Sequence, residues 1–288
     1  MSIWCQGARP RTLPAAVAPV LVGTGAAAAE DGADLLRAGL AMGVALALQV
    51  GVNYANDYSD GVRGTDADRV GPLRLVASGA ASARAVRTAA VAAFGVAAVL
   101  GVVLVGLTAQ WWLLGVGAAA VLAAWFYTGG RSPYGYRGLG EVSVFVFFGL
   151  VATVGTTYVQ LLRVTTVSVL GGVAVGCLAT AILVVNNLRD IPTDSLTGKR
   201  TLAVRLGDRW TRRLFVALLA LAYALVVAIA LGGYPRVLLA WLSLPWAVQA
   251  ARVVESGASG PALIPPLSDT GKAELGLAVG LTVGLVLG

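Results

Sequence analysis

Histidine is missing from this chain and cysteine nearly so: its 288 residues hold no His and two Cys, Cys5 and Cys177. A histidine metal site and a histidine general base are therefore excluded, and two isolated cysteines give neither a disulfide framework nor a zinc-ligand spacing. Charge is scarce too, at 12% of residues against 58% hydrophobic. What remains is a succession of apolar runs, each near the ~20 residues that a helix needs to cross a bilayer. This composition predicts an all-α, polytopic membrane helical bundle, one domain over residues 1–288 with no soluble appendage. The 37 glycines suit such a bundle, because small residues let helix backbones approach closely in lipid. The first apolar run follows Arg9 and Arg11 without a clear cleavage pattern, so no cleavable signal peptide is expected.

Nine spans are expected, at about 13–29, 38–55, 85–107, 110–127, 142–160, 166–186, 214–231, 235–251 and 273–288. With the N-terminus in the cytoplasm, all of the 21 Lys and Arg residues except Arg37, Arg163 and Arg236 fall on the cytoplasmic side. That asymmetry predicts nine transmembrane helices with the N-terminus inside and the C-terminus outside. The net charge of +7 is then a property of cytoplasmic loops, and no nucleic-acid partner is expected. Trp111 and Trp112 fall near an outer end, where indole rings favour the interface.

Two loops on the cytoplasmic side stand out. The first follows span two and reads Asn53-Tyr-Ala-Asn-Asp-Tyr-Ser-Asp60, then Gly-Val-Arg-Gly64-Thr-Asp66. The second follows span six and reads Asn186-Asn187-Leu-Arg189-Asp190-Ile-Pro-Thr-Asp194, then Ser-Leu-Thr-Gly198-Lys199. Asn53, Asp60 and Gly64 recur at the same spacing as Asn187, Asp194 and Gly198, a faint internal repeat that implies two related half-bundles with opposed acidic ends. If the helices continue past the membrane surface, Asp57 and Asp60 share one helical face, as do Asp190 and Asp194. Like charges so placed repel unless a cation lies between them. Mg²⁺ suits such a set, because it takes a few carboxylates and completes its octahedron with water and substrate phosphate oxygens. The expected metal ligands are Asp57, Asp60, Asp66, Asp190 and Asp194, and the expected cargo of the metal is a diphosphate. Pro192 is expected to kink or interrupt the second helix near Asp190. A solvated loop at a membrane surface also collects acids and bases. Here, however, asparagines accompany the acids at the helix ends, and two separate loops share the arrangement.

At these residues the chain resembles the UbiA superfamily of membrane prenyltransferases. That superfamily carries Asn-Asp-x-x-Asp-x-x-x-Asp after its second helix and Asp-x-x-x-Asp after its sixth. Asn56-Asp57-Tyr-Ser-Asp60 matches the first motif and Asp190-Ile-Pro-Thr-Asp194 the second. The last acid of the first motif would fall on Gly64, a departure from the pattern, and Asp66 stands two residues beyond as its replacement. Four segments look like the branch that prenylates 1,4-dihydroxy-2-naphthoate in menaquinone synthesis. They are Ala8-Arg-Pro-Arg-Thr-Leu-Pro14, Asn53 to Asp66, Tyr127 to Glu141 and Gly198 to Gly207. The superfamily's Tyr-x-x-x-Lys appears here as Tyr127-x-x-x-Arg131.

The resemblance implies two substrates, a polyprenyl diphosphate and 1,4-dihydroxy-2-naphthoate, with Mg²⁺ as cofactor. Its products are CO₂, diphosphate and demethylmenaquinol. Asp57, Asp60, Asp190 and Asp194 would be the catalytic metal-binding carboxylates. Arg131, Lys199 and Arg63 would supply fixed positive charge to the diphosphate, with Asn53, Asn56 and Asn187 supporting them. Tyr58, Tyr127, Tyr134 and Tyr136 would flank the allylic cation or the aromatic ring, and the isoprenoid tail would lie among apolar helices. Gly129, Gly130, Gly135, Gly138 and Gly140 mark an irregular loop, either a lid or a plain connection. The expected location is the plasma membrane, with the lipid bilayer as surroundings and the site on the cytoplasmic face. Two alternatives stay open: another aromatic acceptor within the superfamily, and a polytopic transporter, which would place ionisable residues in mid-span.

Overall fold

Backbone groups in lipid must be satisfied internally, and a helix does this within one segment. The computed structural model of the chain describes residues 2–65 and 73–288, and every regular element among them is helical. Asp66, expected as a metal ligand, lies outside the described residues. In chain order the helices are α1 (Ile3–Gly7), α2 (Pro14–Ala28), α3 (Leu35–Arg63), α4 (Ala83–Thr108) and α5 (Leu113–Phe126). Next come α6 (Gly140–Val144), continued through a π-helical stretch (Phe145–Val151) into α7 (Ala152–Leu161), then α8 (Thr166–Leu196) and α9 (Leu202–Leu231). A 3₁₀ stretch (Pro235–Ser243) leads into α10 (Leu244–Glu255), and α11 (Ile264–Leu287) ends the chain.

Each of the nine expected spans overlaps a helix, but only seven helical stretches among the described residues are long and apolar enough to cross a membrane. The other two, α2 and α5, have 15 and 14 residues. At 1.5 Å per residue they reach only about 21–23 Å, short of a hydrocarbon core of ~30 Å. α3 and α8 run on beyond their expected ends and carry the acidic residues with them. α8 passes through Pro192 to Leu196 without the expected interruption. The proline forgoes one bond, to the Leu188 carbonyl, little more than a turn from the helix end. α9 begins well before its expected start and bends at Gly207, whose φ of 74° lies in the left-handed region. α11 likewise starts earlier than expected. Glu274 therefore lies inside it, fully buried, with no hydrogen-bond partner for either carboxylate oxygen among the described residues.

The buried apolar side chains form two main clusters. One joins α8, α9 and α11 through residues such as Leu178, Val185, Phe215, Leu219, Leu277 and Leu281. The other ties α3 to α4 and to residues 73–79 through Tyr54, Leu75, Val86, Ala90 and Phe94. The π-helical stretch meets α8 backbone to backbone: a Cβ on Gly149 would sit 2.6 Å from the Gly176 Cα. α5 buries no residue, as suits a helix that faces lipid. Both acidic helices stop on a left-handed glycine, α3 at Gly64 (φ 74°) and α8 just before Gly198 (φ 75°).

Candidate active site at the ends of α3 and α8

Asp57 and Asp60 sit one turn apart near the end of α3, both buried. Asp57 is bound by neutral donors. Its Oδ2 accepts the backbone N–H of Leu75 at 2.8 Å and its Oδ1 that of Val76 at 3.0 Å. The carboxylate thus fastens the turn at residues 75–79 to α3. Asp60 meets a different company. The Tyr136 phenol donates to its Oδ1, while Arg74 Nη2 and Lys199 Nζ lie 3.9 and 3.8 Å from its Oδ2. Burial first, then the charge of Asp60, pushes the Tyr136 phenol above its ordinary range, so it stays protonated and keeps donating. The Lys199 ammonium stands 4.7 Å and the Arg63 guanidinium 5.6 Å from the Tyr136 ring centroid, within cation–π reach.

At the end of α8, Arg189 grips the carboxylate of its neighbour Asp190 with both arms, Nε to Oδ1 at 2.7 Å and Nη2 to Oδ2 at 2.8 Å. The same guanidinium donates to Asn186 Oδ1 at 2.9 Å. Asp194, one turn on, is buried, and its carbonyl accepts the Lys199 N–H at 3.0 Å. Asn187 turns inward and donates to Glu141 Oε1 at 2.9 Å.

Residues 127–140 bridge the two ends. Thr128 donates to Asn56 Oδ1 at 2.8 Å, and Arg63 donates to the carbonyls of Thr128 and Gly130. On the far side, the Tyr136 carbonyl accepts the Arg200 N–H at 2.9 Å. The glycine-rich segment is thus pinned to both acidic ends.

Several expected site residues have structural partners instead of open faces. The Asn53 amide donates to Ala8 O and Thr12 Oγ1, each at 2.9 Å, and so holds the N-terminal segment. Asn56 and Arg63 hold the bridging loop. Tyr58 stacks on Trp125, with ring centroids 6.3 Å apart. The Tyr134 hydroxyl donates to Ala123 O and pairs with Ser143 Oγ, both at 2.8 Å. Tyr127 packs edge-on against Tyr134 at 5.6 Å, and Glu141, Asp60 and Asp194 all act electrostatically on its hydroxyl. Arg131 is exposed, and no hydrogen bond or ion pair holds it among the described residues.

Arg74 and Glu141 were not singled out by the sequence reading, yet both are buried here. The signal for Glu141 was available: a lone acid at the head of an apolar span, directly after a Gly- and Tyr-rich segment. Arg74 had no comparable mark among the chain's many arginines.

Among the described residues, no three acidic, Cys or His side chains gather closely enough to cage a metal ion by themselves. The arrangement offers two buried acidic helix ends, linked by a cationic and aromatic bridge.

Residues 16–262 match the UbiA prenyltransferase family. Over 285 residues the chain is 53% identical to the 1,4-dihydroxy-2-naphthoate octaprenyltransferase of Mycobacterium tuberculosis H37Rv, covering 99% of this chain and 97% of that one. It is 38% identical to the Escherichia coli K12 protein of the same name, covering 94% and 91%. Its fold is like that of a UbiA homolog from Archaeoglobus fulgidus bound to GPP and Mg²⁺, with a TM-score of 0.71 at 14% identity over the whole of both chains. The paired acidic helix ends, the bundle that carries them and these likenesses agree, and the chain belongs to the UbiA prenyltransferase family.

Proposed function

We propose that the chain transfers a polyprenyl group from polyprenyl diphosphate to 1,4-dihydroxy-2-naphthoate, releasing diphosphate and CO₂ and forming demethylmenaquinol. The acceptor rests on the naphthoate prenyltransferases that the chain resembles along nearly its full length. The chemistry rests on one observation above all: Asp60 of the first acidic helix, Lys199 from beyond the second, and Arg74 and Tyr136 from two further segments meet at one buried point.

The residues present fit Mg²⁺. Asp57, Asp60, Asp190 and Asp194 are buried carboxylates that offer hard oxygen, the donor Mg²⁺ prefers, and Mg²⁺ binds one or two carboxylates and fills its shell with substrate phosphate and water. Asp60 and Asp194 would hold it, with the remaining lone pairs of Asp57 and Asp190 in support. Once bound, Mg²⁺ supplies positive charge against the diphosphate oxygens as the allylic C–O bond breaks.

The chain's own side chains do the rest. Lys199 and Arg74 hold fixed cations where the leaving group gathers charge, and cations so placed stabilise the transition state more than the ground state. Arg131, from the exposed part of the bridge, contributes an outer contact to the diphosphate. Tyr136 orients Asp60 and presents its ring to the cations. The bridging loop shields the allylic cation from water, so that the electron-rich ring captures it first. The prenyl tail needs no polar recognition and lies among the Ala-, Val- and Leu-rich helices.

We further propose nine spans, with α2 and α5 as short ones, a single domain, and the site on the cytoplasmic face of the plasma membrane. A Ser195→Cys label should react from the cytoplasmic side only; reaction only from outside would overturn that topology. The activity is tested with purified protein, Mg²⁺, radiolabelled prenyl diphosphate and a panel of aromatic acceptors. Transfer to the naphthoate with CO₂ release is expected. Preference for a different aromatic acceptor would move the chain to another branch, and transfer to none would overturn the assignment.

A further inference from the structure

Glu141 stands at the head of α6, ahead of the π-helical stretch, and is 5% exposed. Its Oε1 is fixed by Asn187 at 2.9 Å. Its Oε2 is buried and has no hydrogen-bond partner among the described residues. A buried carboxylate oxygen left without a donor is a standing cost, and native proteins rarely keep one without a use. Tyr127 lies close by, its hydroxyl next to Gly140. Two glycines keep that ring close. A Cβ on Gly140 would lie 3.0 Å from the Tyr127 hydroxyl oxygen, and one on Gly135 would lie 3.3 Å from its ring.

The surroundings select the ligand. Oε2 lacks a donor, so it calls for a ligand that gives a hydrogen bond, and a diphosphate oxygen only accepts one. A hydroxyl donor satisfies Oε2, and an aromatic ring bearing it would lie next to the edge-packed pair Tyr127 and Tyr134.

We propose that Glu141 Oε2, with the Tyr127 hydroxyl beside it, binds a phenolic hydroxyl of the aromatic acceptor, and that Asn187 positions the carboxylate for this contact. The proposal rests on the reading that the chain prenylates a hydroxylated aromatic. A carboxylate that accepts the phenolic O–H orients the ring and raises its electron density toward the allylic cation. Discrimination follows as well, because a site built to pair with a hydroxyl rejects an acceptor in which that hydroxyl is blocked.

The test pairs Glu141→Gln with the naphthoate and its two monomethyl ethers. In the wild type, one ether should lose ~10–100-fold in kcat/KM relative to the naphthoate. In Glu141→Gln the naphthoate itself should lose about as much, and the penalty for that ether should largely vanish, since the contact is already gone. The KM for prenyl diphosphate should stay within about twofold, because the contact is made to the other substrate. If the wild type prenylates the naphthoate but the variant keeps its kcat/KM, or keeps the full ether penalty, the inference fails. If the variant instead needs more Mg²⁺ with acceptor kinetics unchanged, Glu141 serves the metal and the inference is overturned. If the wild type prenylates no aromatic acceptor, the proposed function fails on its own account. Should Glu141→Gln not accumulate as folded protein, Asn187→Ala replaces it. Freeing Oε1 should raise the acceptor KM, and an unchanged acceptor KM would sink the proposal.

Discussion

The ends of α3 and α8 share their spacing of Asn, Asp and Gly and stop on the same kind of glycine, yet they employ their acids differently. The first acid of each is committed to the protein, Asp57 to the backbone amides of Leu75 and Val76 and Asp190 to the guanidinium of Arg189. Backbone amides are neutral and fixed in place, whereas a guanidinium is a charged side chain that can rotate away. The second acid of the first end, Asp60, looks across to the other end and meets Lys199. A repeat in sequence therefore sets where carboxylates stand along a helix. The partners set what each one does, from elsewhere in the chain for Asp57 and Asp60 and from the next residue for Asp190.

The sharpest way to break this comparison is to remove the second acids. Asp60→Ala and Asp194→Ala should each lower kcat by ~10³-fold, the scale lost when a main source of transition-state electrostatics is removed. Melting temperature and far-ultraviolet circular dichroism should stay near wild type. Turnover close to normal in either variant would separate that carboxylate from the chemistry.

Asp57→Ala should fail in another way. It leaves the buried N–H of Leu75 and the partly buried N–H of Val76 without an acceptor, at a cost of about 3 kcal/mol in stability. A lowered melting temperature and faster protease cleavage near residues 73–79 should accompany the loss of activity. A variant that stays as stable as wild type would show that the turn does not depend on this carboxylate.

Lys199→Met and Arg74→Met come next. Each should lower kcat by ~10–100-fold with both substrates saturating, because a cation at the leaving group acts mainly in the transition state. Arg131→Met, which removes an exposed cation, should cost no more than about threefold, in keeping with the small worth of exposed charges. The reverse ranking would move the diphosphate outward, away from Asp60.

Much of this was legible in the sequence because it depends on local pattern. Apolar runs of membrane length mark the helices. A three- or four-residue spacing of acids predicts one face wherever the helix continues, and α3 and α8 do continue through theirs. Asp57 shows where such reading ends: its partners lie 18 and 19 residues away along the chain, and no periodicity encodes that contact. Asn53 teaches the same lesson, since its amide serves the N-terminal segment through Ala8 and Thr12. Pro192 does not interrupt α8, because the cost of a helical proline depends on how much helix follows, and here only four residues do.

Gly64 gives the smallest effect and the finest test of the comparison. The family pattern calls for an acid at this position, and the chain places there the glycine that ends α3. With φ at 74° the backbone lies where an L side chain is strained, although a Cβ at Gly64 would meet no atom of the described residues within 4 Å. Gly64→Asp should therefore fold and cost about 1 kcal/mol, the usual penalty for a side chain in the left-handed region, with no added clash. Gly198→Asp, its counterpart beyond α8, has the same φ and the same open space and should cost about as much. Neither variant should gain activity or bind Mg²⁺ more tightly, because each glycine stops its helix and the new carboxylate would start from beyond the helical face that carries Asp60 or Asp194. Denaturation midpoints and the Mg²⁺ concentration for half-maximal activity measure both points. A fall in that Mg²⁺ concentration for Gly64→Asp alone would mean that the first end lacks a ligand the second does not need.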